Sequence, residues 1–153
     1  MAAAEDPTPS PAASRFGAEI PFVDHLGFDL KFFDGGESLI VFQPKAEHLN
    51  SFGVTHGGAV MTLLDVTMAV AARSVAKDMG VVTIEMKSSF MRPAKITNGA
   101  LQGKGKLLHR TKSMAFTEAM IYDADGQLCA HSTGTFKYVP RAPGLPGRPL
   151  STD

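Results

Sequence analysis

The chain has 153 residues, with 15 Lys+Arg against 15 Asp+Glu and therefore no formal net charge. That length suits one domain whose core needs no disulfide staples, and 44% hydrophobic against 20% charged residues excludes a disordered, highly charged chain. Balanced charge offers no general attraction to nucleic acid or to an anionic membrane, so neither is expected as a partner.

The first sixteen residues, MAAAEDPTPSPAASRF, lack the basic and apolar regions of a secretory signal. Their Ala/Pro/Ser content predicts a disordered tail over 1–16. Pro21-Phe-Val-Asp-His-Leu26, stopped by Gly27, reads as a short helical turn. Residues 28–33 alternate apolar and polar, the turn Asp34-Gly35-Gly36-Glu37 follows, and Leu39-Ile40-Val41-Phe42 completes a hairpin.

From 56 to 77 the pattern becomes helical. No proline interrupts it, and its apolar residues occupy every face, which predicts a helix buried nearly all round. Only 14 residues separate Gly58 from Arg73, with Asp65 among them. A membrane span needs ~20 apolar residues, so this is read as a buried helix of a soluble domain.

Four strand-like runs follow Gly80. Residues 82–90 place Val82, Ile84, Met86 and Phe90 on one face and Thr83, Glu85 and Lys87 on the other, ending before Arg92-Pro93. Residues 99–109 contain Gly103 and Gly105, which suggest a bulge or the close approach of another backbone. The third run reaches Tyr122, and Asp123-Ala-Asp-Gly126 turns it into the fourth, Leu128 to Val139. The expectation is an α+β fold: a hairpin, a long helix, then a four-stranded antiparallel meander curled about that helix. A domain over 17–140 and a Pro-rich tail over 141–153 complete the organisation.

The candidate site surrounds the helix start. His56-Gly57-Gly58 opens it, where the first four backbone N–H groups have no intrahelical partner and attract an oxyanion. An ordinary polar cap would look the same. Asp65 is the only charged side chain between Gly57 and Arg73. A carboxylate within a buried helix is costly unless paired or wet, which marks a functional candidate, although a structural carboxylate answers equally. Thr83 by default faces solvent, and Asn50 by default is a turn residue. The five histidines and Cys129 show no zinc-ligand spacing, so no metal is expected. The lone cysteine has no internal partner and suits a cytoplasmic location. Cys129, His25 and His131 are read as packing or surface residues.

Together these residues resemble the hotdog-fold acyl-CoA thioesterases, particularly the phenylacetic-acid-pathway type. The resemblance spans about residues 20–140 and rests on several matching segments. These are His56-Gly57-Gly58, Asp65 eight positions after the first glycine, Phe90-Met91-Arg92-Pro93-Ala94, Gly105 with His109-Arg110-Thr111, and Asp125-Gly126 before Cys129-Ala130. It implies a hotdog fold, and an enzyme cleaving acyl-CoA to free acid and CoA with no cofactor beyond its substrate. The backbone N–H of Gly57 would polarise the thioester carbonyl, with Asn50 or His56 helping to orient the carbonyl or the loop. Asp65 would be general base or nucleophile, and Thr83 would help to hold the attacking water. Arg92 and Lys95, and separately His109, Arg110 and Lys112, are candidates for the CoA phosphates. Phe52, Val54, Met61, Leu64 and Met68 are expected to line the acyl pocket.

Eight helical residues separate Gly57 from Asp65 by ~12 Å. Oxyanion donor and base must each approach one carbonyl within ~3 Å, directly or through a water. One chain does not bring both to it, whereas two antiparallel helices do, so a homodimer or homotetramer is expected. A hotdog hydratase or dehydratase, and a non-catalytic acyl-CoA-binding module, remain alternatives on the residues alone.

Overall fold

The computed structural model describes residues 15–141, so most of both expected tails lies outside the described residues. Phe16, at the end of the expected N-terminal tail, is 1% exposed and belongs to the core. Helix α1 (Pro21–Leu26) starts on proline, and Gly27 caps it at φ 75 in the left-handed region. Strands β1 (Asp29–Asp34) and β2 (Glu37–Phe42) form the expected hairpin. Its turn glycines, Gly35 at φ 57 and Gly36 at φ 87, take the two positive φ angles that a tight two-residue hairpin demands. A 3-10 turn (Ala46–His48) and an irregular loop lead to α2 (Gly57–Arg73). Strands β3 (Met79–Phe90), β4 (Leu101–Arg110), β5 (Met114–Tyr122) and β6 (Leu128–Pro140) complete a curved, unclosed sheet.

The strand order is β1-β2-β4-β5-β6-β3, and every pairing is antiparallel. This corrects the expected four-stranded meander. Strands β4, β5 and β6 do form one, but α2 carries the chain across the sheet first, so β3 pairs with β6 at the far edge. Periodicity reports which residues face inward and not which strand is the neighbour.

Helix α2 contacts all six strands. Its closeness to the sheet depends on glycine. A Cβ on Gly105 would stand 2.4 Å from the Ser38 hydroxyl and 2.5 Å from the Thr67 carbonyl, and one on Gly103 would stand 2.5 Å from the Thr67 hydroxyl. The close approach expected of these glycines is thus present. The Ser38 hydroxyl donates to the Thr67 carbonyl at 2.7 Å, and the Tyr138 hydroxyl donates to that of Ala72 at 2.7 Å, tying α2 to β2 and β6.

The helix is not buried on every side in a single chain. Val60, Leu63, Leu64, Thr67, Met68 and the residues around Ala71 are buried. Met61, Thr62, Asp65, Val66 and Ala69 form a stripe that stays partly or fully open. Spacing of about 3.6 residues per turn puts them on one face.

Candidate active site

The loop before α2 is braced by its own backbone. The Asn50 side-chain oxygen accepts from the N–H groups of Phe52 (2.9 Å) and Val54 (3.2 Å), and the Asn50 N–H donates to the Val54 carbonyl at 2.8 Å. Thr55 donates both its N–H and its hydroxyl to the Ala94 carbonyl, at 3.0 and 2.7 Å. Asn50 is therefore a turn residue whose amide nitrogen stays available, since no acceptor takes it among the described residues.

His56 is the N-cap of α2, and its Nδ1 accepts from the Gly58 N–H at 2.9 Å. The neutral ring then carries its proton on Nε2. The N–H groups of Ala59 and Val60 go to the His56 carbonyl at 3.0 and 3.1 Å. Of the first four helical N–H groups, that of Gly57 alone has no acceptor among the described residues. It borders a cavity of about 310 Å³ whose walls include Asn50, Val54, Phe90, Arg92 and Cys129. A Cβ on Gly57 would meet the Phe90 ring at 3.8 Å, so the glycine is not demanded by packing.

Asp65 lies on the open stripe of α2, where the Thr83 hydroxyl donates to its Oδ1 at 2.6 Å. Burial raises the Asp65 carboxyl above the usual carboxylate value, and the Thr83 hydrogen bond pulls it back only in part. Thr83 reaches the helix because of a bulge. The register passes from Thr83↔Phe136 to Glu85↔Thr135, so Ile84 is an extra residue and the inward face switches there. Val81 and Thr83 lie on the helix side before it, and Met86 and Phe90 after it, with Thr83 and Phe90 still exposed in one chain. This corrects the uninterrupted alternation expected over 82–90: Ile84, expected on the core face, is 53% exposed, while Thr83 is exposed as expected but on the side of Asp65.

The structure gathers Asn50, His56, Gly57 and Arg92 at one end of α2 and pairs Asp65 with Thr83 about two turns along. The basic clusters separate further. The Arg92 guanidinium, at the cavity wall, donates to the Leu128 carbonyl at 3.0 Å, and Lys95 is exposed nearby. Arg110 lies 4.8 Å over the Tyr138 ring and donates to the Val75 carbonyl at 3.3 Å, beyond the other end of α2. His109 stacks on Phe116, and Lys112 is exposed. Within one chain the two clusters do not meet.

The expected acyl lining also changes. Val54 borders the cavity, but Leu64 and Met68 are fully buried under the sheet, and Phe52 is 87% exposed at the loop tip. The walls come instead from Phe90, Pro93, Cys129 and Ala130, which sequence reasoning had not assigned to the site. The Phe-Met-Arg-Pro-Ala run was the available signal, since it ends β3 beside the helix start.

A long helix held in the curve of an antiparallel sheet, with a free N–H at its capped start, defines the hotdog fold class. Residues 52–130, about half of the chain, match the thioesterase superfamily, and the chain belongs to that family. It is 34% identical over 100 residues to a Caenorhabditis elegans protein named provisionally as an esterase, a match covering 65% of this chain and 59% of that protein. The solved structure of conserved protein PA5202 from Pseudomonas aeruginosa aligns with TM-score 0.76 and 28% identity, covering 82% of this chain and 99% of that one. The E. coli PaaI protein from the phenylacetic acid degradation operon aligns with TM-score 0.75 and 22% identity, covering 84% and 91%, which is a likeness of fold. No helix among the described residues is long and apolar enough to cross a membrane.

Proposed function

We propose that the protein is an acyl-CoA thioesterase whose active site is shared by two antiparallel copies of α2. Gly57 of one copy polarises the thioester carbonyl, with the Asn50 amide beside it. Asp65 of the other takes a proton from water held with Thr83 and delivers the hydroxide to the carbonyl carbon. The tetrahedral oxyanion rests on the Gly57 N–H and collapses with cleavage of the C–S bond. The CoA thiolate leaves and recovers the proton from Asp65, so the products are a free acid and CoA. No resident cofactor is needed. The CoA phosphates would meet Arg92 and Lys95 of one copy and His109, Arg110 and Lys112 of its partner, which explains why the two clusters stand apart in one chain.

The observation that carries this reading is the separation itself. A free helix-start N–H borders a cavity, and a carboxylate with a raised proton affinity lies ~12 Å along the same open stripe. A second helix laid antiparallel covers the stripe and brings the two together twice, once at each end. The test is release of free thiol from a panel of acyl-CoAs by the wild type and Asp65→Ala. A fall of about 100-fold or more in kcat is expected for loss of a general base. Near-full hydrolysis by Asp65→Ala would overturn the mechanism.

A further inference from the structure

We propose that His48 is a positioning residue for this site, its Nδ1 holding the loop that presents Asn50 and Gly57 to the cavity. The inference rests on the thioesterase reading for its kinetic part only. Between Lys45 and Val54, His48 is the one buried side chain, at 6% exposure, and it anchors the start of the loop to the core as Thr55 anchors its end. Its ring packs 5.4 Å from the Phe42 ring and 6.2 Å from that of His25. Its Nδ1 accepts the Lys45 N–H at 2.9 Å, which closes the 3-10 turn. Its carbonyl accepts the His56 N–H at 2.8 Å. The Leu49↔Thr55 bridge and the Asn50–Val54 hydrogen bond continue that rung as a short ladder. The ring thus sets the base of the loop, and the loop sets where α2 begins.

Packing does not account for a histidine here. With Nδ1 accepting, the neutral ring carries its proton on Nε2, and that atom is buried with no partner among the described residues. An unpaired buried donor lowers stability, so an apolar ring would fill this space better. What histidine adds is the Nδ1 acceptor. That acceptor is bonded to Cγ, where asparagine carries its side-chain oxygen, whereas the glutamine oxygen lies one bond further out. Asparagine therefore reproduces the Lys45 contact, and phenylalanine and glutamine do not.

The experiment compares His48→Asn, His48→Gln and His48→Phe by acyl-CoA kinetics, thermal melting and amide hydrogen exchange at Lys45 and His56. His48→Phe is expected to melt at or above the wild-type temperature yet lose about tenfold or more in kcat, with KM changing less, because the loop shifts while the cavity persists. His48→Gln should behave like His48→Phe, and His48→Asn should recover kcat to within a few-fold while keeping both amides protected. Equal behaviour of Asn and Gln, or wild-type kcat in His48→Phe, would overturn the proposal. If the wild type cleaves no acyl-CoA, the functional reading fails, but the exchange order still decides the role of His48. Protection in Asn and its loss in Gln and Phe supports that role, and any other order refutes it.

Discussion

Replacing Gly57 by proline deletes one backbone N–H at the position where a helix best tolerates the loss. Gly57 is the first residue of α2, and its N–H has no acceptor among the described residues, so no hydrogen bond is broken. The preceding residue must be extended for proline to follow, and His56 already has φ -57 and ψ 137. The fold should therefore keep its stability, or gain about 0.4–1 kcal/mol through the stiffer unfolded chain. Loss of a single oxyanion donor is expected to lower kcat about 100- to 1,000-fold, or about 3–4 kcal/mol of transition-state stabilisation, with little change in KM. The assay is thiol release from an acyl-CoA alongside a thermal melt. Gly57→Ala is the control, because its methyl would meet the Phe90 ring at an ordinary 3.8 Å while the N–H remains. Folded Gly57→Pro protein with kcat within about threefold of wild type would refute the oxyanion role. An equal loss in Gly57→Ala would assign the effect to shape rather than to the donor.

The other expectations concern the carboxylate and the packing. Because Asp65 has a raised proton affinity in the fold, the native state binds more protons than the unfolded one just above the ordinary carboxyl value of 3.8, and stability falls as pH rises through the raised value. Asp65→Asn is thus expected to be more stable than wild type at neutral pH in denaturant titrations, the gain vanishing once both forms are protonated. Thr83→Val removes the one hydrogen bond that lowers the Asp65 proton affinity, so the acid limb of kcat/KM should move to higher pH, and an unmoved limb would remove Asp65 from the rate-determining ionisation. Gly105→Ala forces a methyl against the Thr67 carbonyl at 2.5 Å and should cost about 1–3 kcal/mol, read as a lowered melting temperature.

Local features of this fold were legible because they follow from local rules. Gly27, the Gly35-Gly36 pair and the helix-opening His56-Gly57-Gly58 each announce their backbone geometry, and the structure has the turn, hairpin and cap at those points. Gly103 and Gly105 announced a close approach, though not that α2 is the element approaching. What stayed hidden is non-local. Nothing in the β3 run reveals that β6 is its neighbour, nor that an extra residue at Ile84 turns Thr83 toward the helix side. That bulge makes the exposed Thr83 the partner of Asp65, so the residues of the site were nameable before the contact joining them was. The same holds for the cavity wall at Cys129 and Ala130, which reaches the helix start through the pairing of β6 with the end of β3.

The central claim is a site divided between two chains, and complementation tests it most directly. Gly57→Pro and Asp65→Ala chains, each inactive as a homodimer, are co-expressed with different tags and the mixed dimer is purified. One of its two sites then has both an intact Gly57 and an intact Asp65, and the other has neither. About half of the wild-type turnover per dimer is expected, as two-fold symmetry requires. Mixed dimers no more active than their inactive parents would contradict it.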